Sequence, residues 1–88
     1  MKRNENFEIV DVSNEYVAIP IEEEADRFRG IVVLSEPAAF LLKHLDQHMT
    51  EEDLYLLILE EYDVDSSVAR SDVRNIVQTF YSMGLVKD

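Results

Sequence analysis

The apolar residues of this chain change their period at Leu34. Before it, short β-branched runs alternate with turn residues; after it, apolar residues recur every three to four positions. A strand-type half followed by a helix-type half confines the chain to the α+β class, with helices laid on one antiparallel sheet. Phe7 to Val12 is the first strand, and Ser13-Asn14 is a tight turn. In Glu15 to Ile21 the residues Val17, Ile19 and Ile21 alternate, which assigns them to one side of a second strand and gives that strand its core side. Pro20 limits pairing near its end. Glu22, Glu23, Glu24, Asp26, Arg27 and Arg29 make a charged connection, and Gly30 opens a third strand, Ile31 to Leu34. That strand is apolar on both faces, so it is either covered on both sides or open to something that covers it.

The helical half is marked by its caps. Ser35-Glu36-Pro37 starts a first helix, whose Ala38, Leu41, Leu42 and Leu45 share a face. Thr50 to Asp53 fits a capping box, and Leu54, Leu57, Ile58 and Tyr62 continue a second helix. Asp63 to Ser67 supplies caps for a third, with the stripe Val73, Ile76, Val77, Phe80 and Met83. Gly84 stands where a left-handed C-terminal cap belongs. The expected architecture is three strands followed by three helices, within a single domain over residues 1–88 whose core spans about 7–87.

Composition removes whole classes of function. Eight Lys and Arg against nineteen Asp and Glu give a net charge of −11, which opposes binding to a phosphate backbone. There is no cysteine, so disulfides, thiolate metal sites and cysteine catalysis are out. Two glycines are too few for a P-loop or a dinucleotide fingerprint. No apolar run approaches the roughly 20 residues that span a bilayer, and no signal peptide is present, so a cytoplasmic protein without membrane contact is expected.

Several segments, in order, resemble the PqqD family: Leu34 to Leu42, Leu45, Thr50 to Leu54, Glu61 to Asp65, Ala69 to Val73, and Gly84 to Val86. These proteins serve coenzyme PQQ synthesis, and their relatives are the precursor-peptide recognition elements of pathways to ribosomally made, modified peptides. The resemblance implies a winged-helix-like fold with a three-stranded antiparallel sheet that receives the leader of a precursor peptide as a fourth strand. It also implies a non-catalytic adaptor, without cofactor, presenting that peptide to a modifying enzyme such as a radical SAM enzyme or a cyclase or protease. The residues agree at one point, because a meander in chain order leaves the third strand at an edge, where Ile31, Val32, Val33 and Leu34 can pair with an extended peptide. On the third helix Arg70, Arg74, Val77 and Tyr81 follow at four, three and four residues, and with Val73 they are the expected wall of a peptide groove.

Other readings carry less. His44 and His48 are four apart, but Leu45, Asp46 and Gln47 between them lack the Glu of a zinc-protease pattern. Two surface histidines near a helix end are expected, with no metal. Ser35, His44 and Asp46 contain the residue types of a triad without a nucleophile turn or an oxyanion loop. The competing function is a winged-helix DNA-binding regulator, for which the third helix offers only Arg70 and Arg74, flanked by Asp65 and Asp72.

Overall fold

The computed structural model describes residues 1–27 and 30–88. In chain order its elements are β1 (Lys2–Arg3), β2 (Phe7–Val12), β3 (Glu15–Pro20), α1 (Glu23–Arg27), β4 (Val32–Leu34), α2 (Glu36–His44), α3 (Glu51–Glu61), α4 (Ser66–Ser82) and β5 (Val86–Lys87). The main sheet is the antiparallel meander β2-β3-β4. Ser13 and Asn14 join β2 to β3 with φ of 50° and 70°, the paired left-handed residues of a two-residue hairpin turn, and this fixes the register Val12↔Glu15.

The helices start where side chains take up their free N–H groups. Ser35 Oγ accepts from Ala38 N at 3.2 Å, and Thr50 and Asp53 cap each other at 2.9 and 3.1 Å. Asp65 caps α4. At the other end of α4, Gly84 has φ of 72°, and the bonds Leu85 N→Phe80 O and Gly84 N→Tyr81 O close a Schellman motif. Leu85 and Phe80 are both fully buried, so the turn also seals the core. Around it lie Leu41, Leu42, Leu45, Leu54, Ala69 and Val73, with Phe7, Ala18, Val32 and Leu34 from the sheet.

The structure departs from the sequence expectations in four places. The charged connection contains α1, while Arg29, part of that segment, lies outside the described residues. A second sheet pairs β1 with β5, and the N-terminal amino group donates to Met49 O at 2.7 Å. Asn4 Nδ2 donates to Gly84 O at 3.0 Å, so both ends of the chain are fastened beside the loop between α2 and α3. Ile31 precedes β4 rather than belonging to it.

The fourth departure concerns sides. Tyr16 and Ala18 pair with Leu34 and Val32 and join the core, whereas Val17 and Ile19 face outward. Alternation assigned those valine and isoleucine side chains to the core. Both faces of β3 are apolar, however, and the small Ala18 is what lets the helices approach the sheet.

Candidate functional site

In a sheet ordered β2-β3-β4, the last strand has a neighbour among the described residues on one side only. A row of valines crosses the outward face: Val10 opposite Val17 and Val17 opposite Val33. Val17, flanked on both sides, is 4% exposed, whereas Val33 is 64% exposed. The difference marks the unpaired edge of β4, where a strand is missing from one flank. On the other face Val32 and Leu34 are buried, so β4 is anchored to the core while its edge stays open.

That edge borders a groove. A cavity of about 200 Å³ lies between β4 and α4, bounded by Val32, Val33 and Leu34 on one side and by Asn75, Ile76 and Thr79 on the other, with Ala38 of α2 in its floor. A second cavity of about 260 Å³ shares Ile76 and continues past Pro37 toward Tyr62, Asp63 and Asp72. Together they form a trough along one flank of α4. Its walls are mostly apolar, with polar groups spaced along the helix side, which suits an extended chain whose alternate side chains point inward.

Of the α4 residues expected in that wall, Val73 lines the second cavity, while Arg70, Arg74, Val77 and Tyr81 line neither. At 100° per residue, Asn75, Thr79 and Asp72 fall on one side of the buried stripe Ala69-Val73-Phe80, and Arg70, Arg74 and Tyr81 fall on the other. Val73 and Val77 are themselves buried, at 0% and 6% exposure. Arg70 turns to α3, where it donates to Glu52 at 2.6 Å and lies 3.6 Å above the Tyr55 ring centroid. Arg74 sits 3.8 Å from Glu51. Tyr81 donates to Asp88 at 2.8 Å. The expected cluster thus divides: Val32, Val33, Leu34 and Val73 border the trough, Ile31 is exposed just before β4, Val77 is buried, and Arg70, Arg74 and Tyr81 occupy the opposite flank of α4.

The wall residues Asn75 and Thr79 escaped sequence reasoning, and Ile76 was assigned only to the core. A signal for them exists, since Asn75 to Ser82 contains no charged residue although 31% of the chain is charged. An uncharged exposed stretch on such a background marks a surface that is not simply solvated.

The electrostatics separate the two flanks. The hydrogen bond from Arg70 holds the Glu52 carboxyl below its ordinary value, and the same bond raises Arg70. Burial pushes the Tyr62 phenol up, aided by Glu36 and Glu61, so at the end of the trough it stays neutral. The hydrogen bond to Asp88 raises Tyr81. His44 has Nδ1 2.8 Å from Phe40 O, and among the described residues no three His, Asp or Glu side chains converge as metal ligands. No helix among them is long and apolar enough to cross a membrane.

The model of the family coenzyme PQQ synthesis protein D (PqqD) matches residues 12–86. The chain belongs to the PqqD family. Two solved structures share its fold. One is TbiB1 in complex with the TbiA(beta) leader peptide, with a TM-score of 0.72 and 18% identity, covering 100% of both chains. The other is lasso peptide synthetase B1 complexed with the leader peptide, with a TM-score of 0.72 and 15% identity, covering 99% of this chain and 96% of that one. No curated protein sequence matches the chain. The shared fold extends over the whole chain or nearly so.

Proposed function

We propose that this PqqD-family chain is a non-catalytic adaptor that captures the leader of a ribosomally made precursor peptide and holds it for a modifying enzyme. The observation that carries this is the open edge of β4 beside the α4 trough. An extended peptide would continue the sheet as a fourth strand, take main-chain hydrogen bonds from β4, and place alternate side chains against Ala38, Ile76 and Thr79. The leader peptides bound in the two similar structures support the same occupant. Holding the leader raises the local concentration of the attached core peptide at the enzyme. The role calls for no reacting group and fits the cytoplasm, where such precursors are made.

The competing DNA-binding reading loses its two cations, because Arg70 and Arg74 face Glu52 and Glu51. Little positive charge remains on α4 to displace counterions.

The test is a calorimetric titration of the precursor leader into the chain, with an amide chemical-shift map. Shifts concentrated on Val32, Val33, Leu34, Ile76 and Thr79 are expected. Shifts centred on β2 or α3 would reject the trough, and turnover of precursor by this chain alone would reject the adaptor.

A further inference from the structure

The two cavities of the trough differ in charge. No charged residue lines the first, between β4 and α4. The second lies past the end of β4, where α2, α3 and α4 meet, and its apolar wall comes from Pro37, Ile58, Val64, Val73 and Ile76. Two carboxylates, Asp63 and Asp72, border it, and no Lys, Arg or His does. The Tyr62 ring completes the lining, set at right angles to Phe40 with centroids 5.8 Å apart.

Both carboxylates are unclaimed. Arg70 and Arg74, two residues to either side of Asp72, pair with Glu52 and Glu51 on α3, and the nearby Asp65 is occupied in capping α4. Among the described residues, the side chains of Asp63 and Asp72 have no ion pair and no hydrogen bond. Both residues are exposed to solvent.

The lining selects its occupant. A purely aliphatic or aromatic side chain would cover the apolar wall but displace water from two carboxylates without replacing the lost hydrogen bonds. An acidic side chain would bring a third negative charge against them. A Lys or Arg side chain lays an apolar stem along such a wall and keeps its charged head at the rim, where carboxylates and an aromatic ring are its natural partners. The net charge of −11 also draws a cationic segment toward the chain.

We infer that the second cavity is a specificity subsite of the trough, which takes a Lys or Arg side chain of the leader and pairs its charged end with Asp63 and Asp72. This rests on the adaptor reading above and adds the class of leader residue that is selected.

The test is a double-mutant cycle read by calorimetric titration. The precursor leader, and versions of it with each Lys or Arg replaced in turn by Met, are titrated into the full-length wild type and into the double variant Asp63→Asn/Asp72→Asn. Met keeps an apolar stem and removes the charge, while Asn keeps the shape of Asp. One Lys or Arg replacement should weaken binding to the wild type about tenfold, and the same replacement should change binding to the double variant by less than about twofold, because the charge it removes no longer has a partner. High salt should shrink the wild-type difference. A thermal melt of the double variant close to that of the wild type reports an intact fold, as expected for exposed side chains. Two outcomes overturn the inference while leaving the adaptor reading in place: undiminished binding by a leader without Lys or Arg, and a loss on replacement as large in the double variant as in the wild type. A precursor leader that did not bind the wild type at all would remove both readings.

Discussion

The two flanks of α4 are built from the same helix and do opposite things. Toward α3, its side chains Arg70 and Arg74 meet Glu52 and Glu51, and the Arg70 guanidinium lies over the Tyr55 ring. Toward β4, the uncharged residues Asn75, Ile76 and Thr79 border a trough, with Asp63 and Asp72 at its far end. In a chain with nineteen acids and eight Lys and Arg, cations are scarce enough that nearby carboxylates claim them. A lone Arg on such a helix therefore indicates where the helix is fastened to its neighbour. An uncharged exposed stretch is the better sign of an open surface, because solvation alone would favour charge there.

The most direct way to break this comparison is to fill the trough. Thr79 is exposed on its wall, so Thr79→Trp adds bulk where the leader strand would lie without entering the core. Leader affinity should fall by tenfold or more, ~1.4 kcal/mol per decade, with a melting temperature close to wild type. Calorimetric titration and a thermal melt give the two numbers. Unchanged affinity would move the leader off this flank of α4.

How far these features could be read in advance depends on their range along the chain. The caps at Ser35, Thr50 with Asp53, and Gly84 are short-range devices, and each stands where its residue type places it. So does the Ser13-Asn14 turn. The outward orientation of Val17 was hidden, because Val17 and Ile19 alternate as cleanly as Tyr16 and Ala18, and only packing against α2 chooses between the faces. The β1-β5 pair was hidden for another reason: two residues at either end of the chain carry no period of their own. The β4 edge followed from strand order. The α4 wall did not, since a stripe of four, three and four residues says that Arg70, Arg74 and Tyr81 lie together but not on which side of the helix β4 passes.

A smaller effect sharpens the comparison from the other flank. Arg74 is 62% exposed in its side chain and 3.8 Å from Glu51, a loose surface pair of the kind that contributes little. Arg74→Glu should change leader affinity by less than about twofold, since the trough lies across the helix and exposed charges are screened over about 10 Å at 0.1 M salt. It should lower the melting temperature slightly, because Glu51 then faces a like charge. A tenfold loss of leader affinity would return Arg74 to the binding surface and erase the distinction between the flanks.

The smallest effect is in the acid response of the closed flank. Glu52 is held below its ordinary value of 4.5 chiefly by the hydrogen bond from Arg70. A carboxylate whose folded value is depressed contributes stability that is complete above the unfolded value and fades as pH falls through the folded one. The contribution from Glu52 is therefore whole at neutral pH, begins to shrink below about 4.5, and is gone once the carboxylate is protonated in both states. Arg70 has the opposite sign. Its folded value is raised, so its share is lost only at strongly alkaline pH and does not enter the acid window. Glu52→Gln should thus melt slightly below wild type at neutral pH, and the gap should close as acid is added. Because the pair is on the surface, 0.5 M salt should narrow the gap at neutral pH as well. Melts of both proteins from pH 7 to pH 3 at two salt concentrations measure it. A gap that persisted at pH 3 would mean that Glu52 acts through packing and not through its charge, while leader affinity at neutral pH should be the same for both proteins, because this pair stands on the flank that the peptide does not touch.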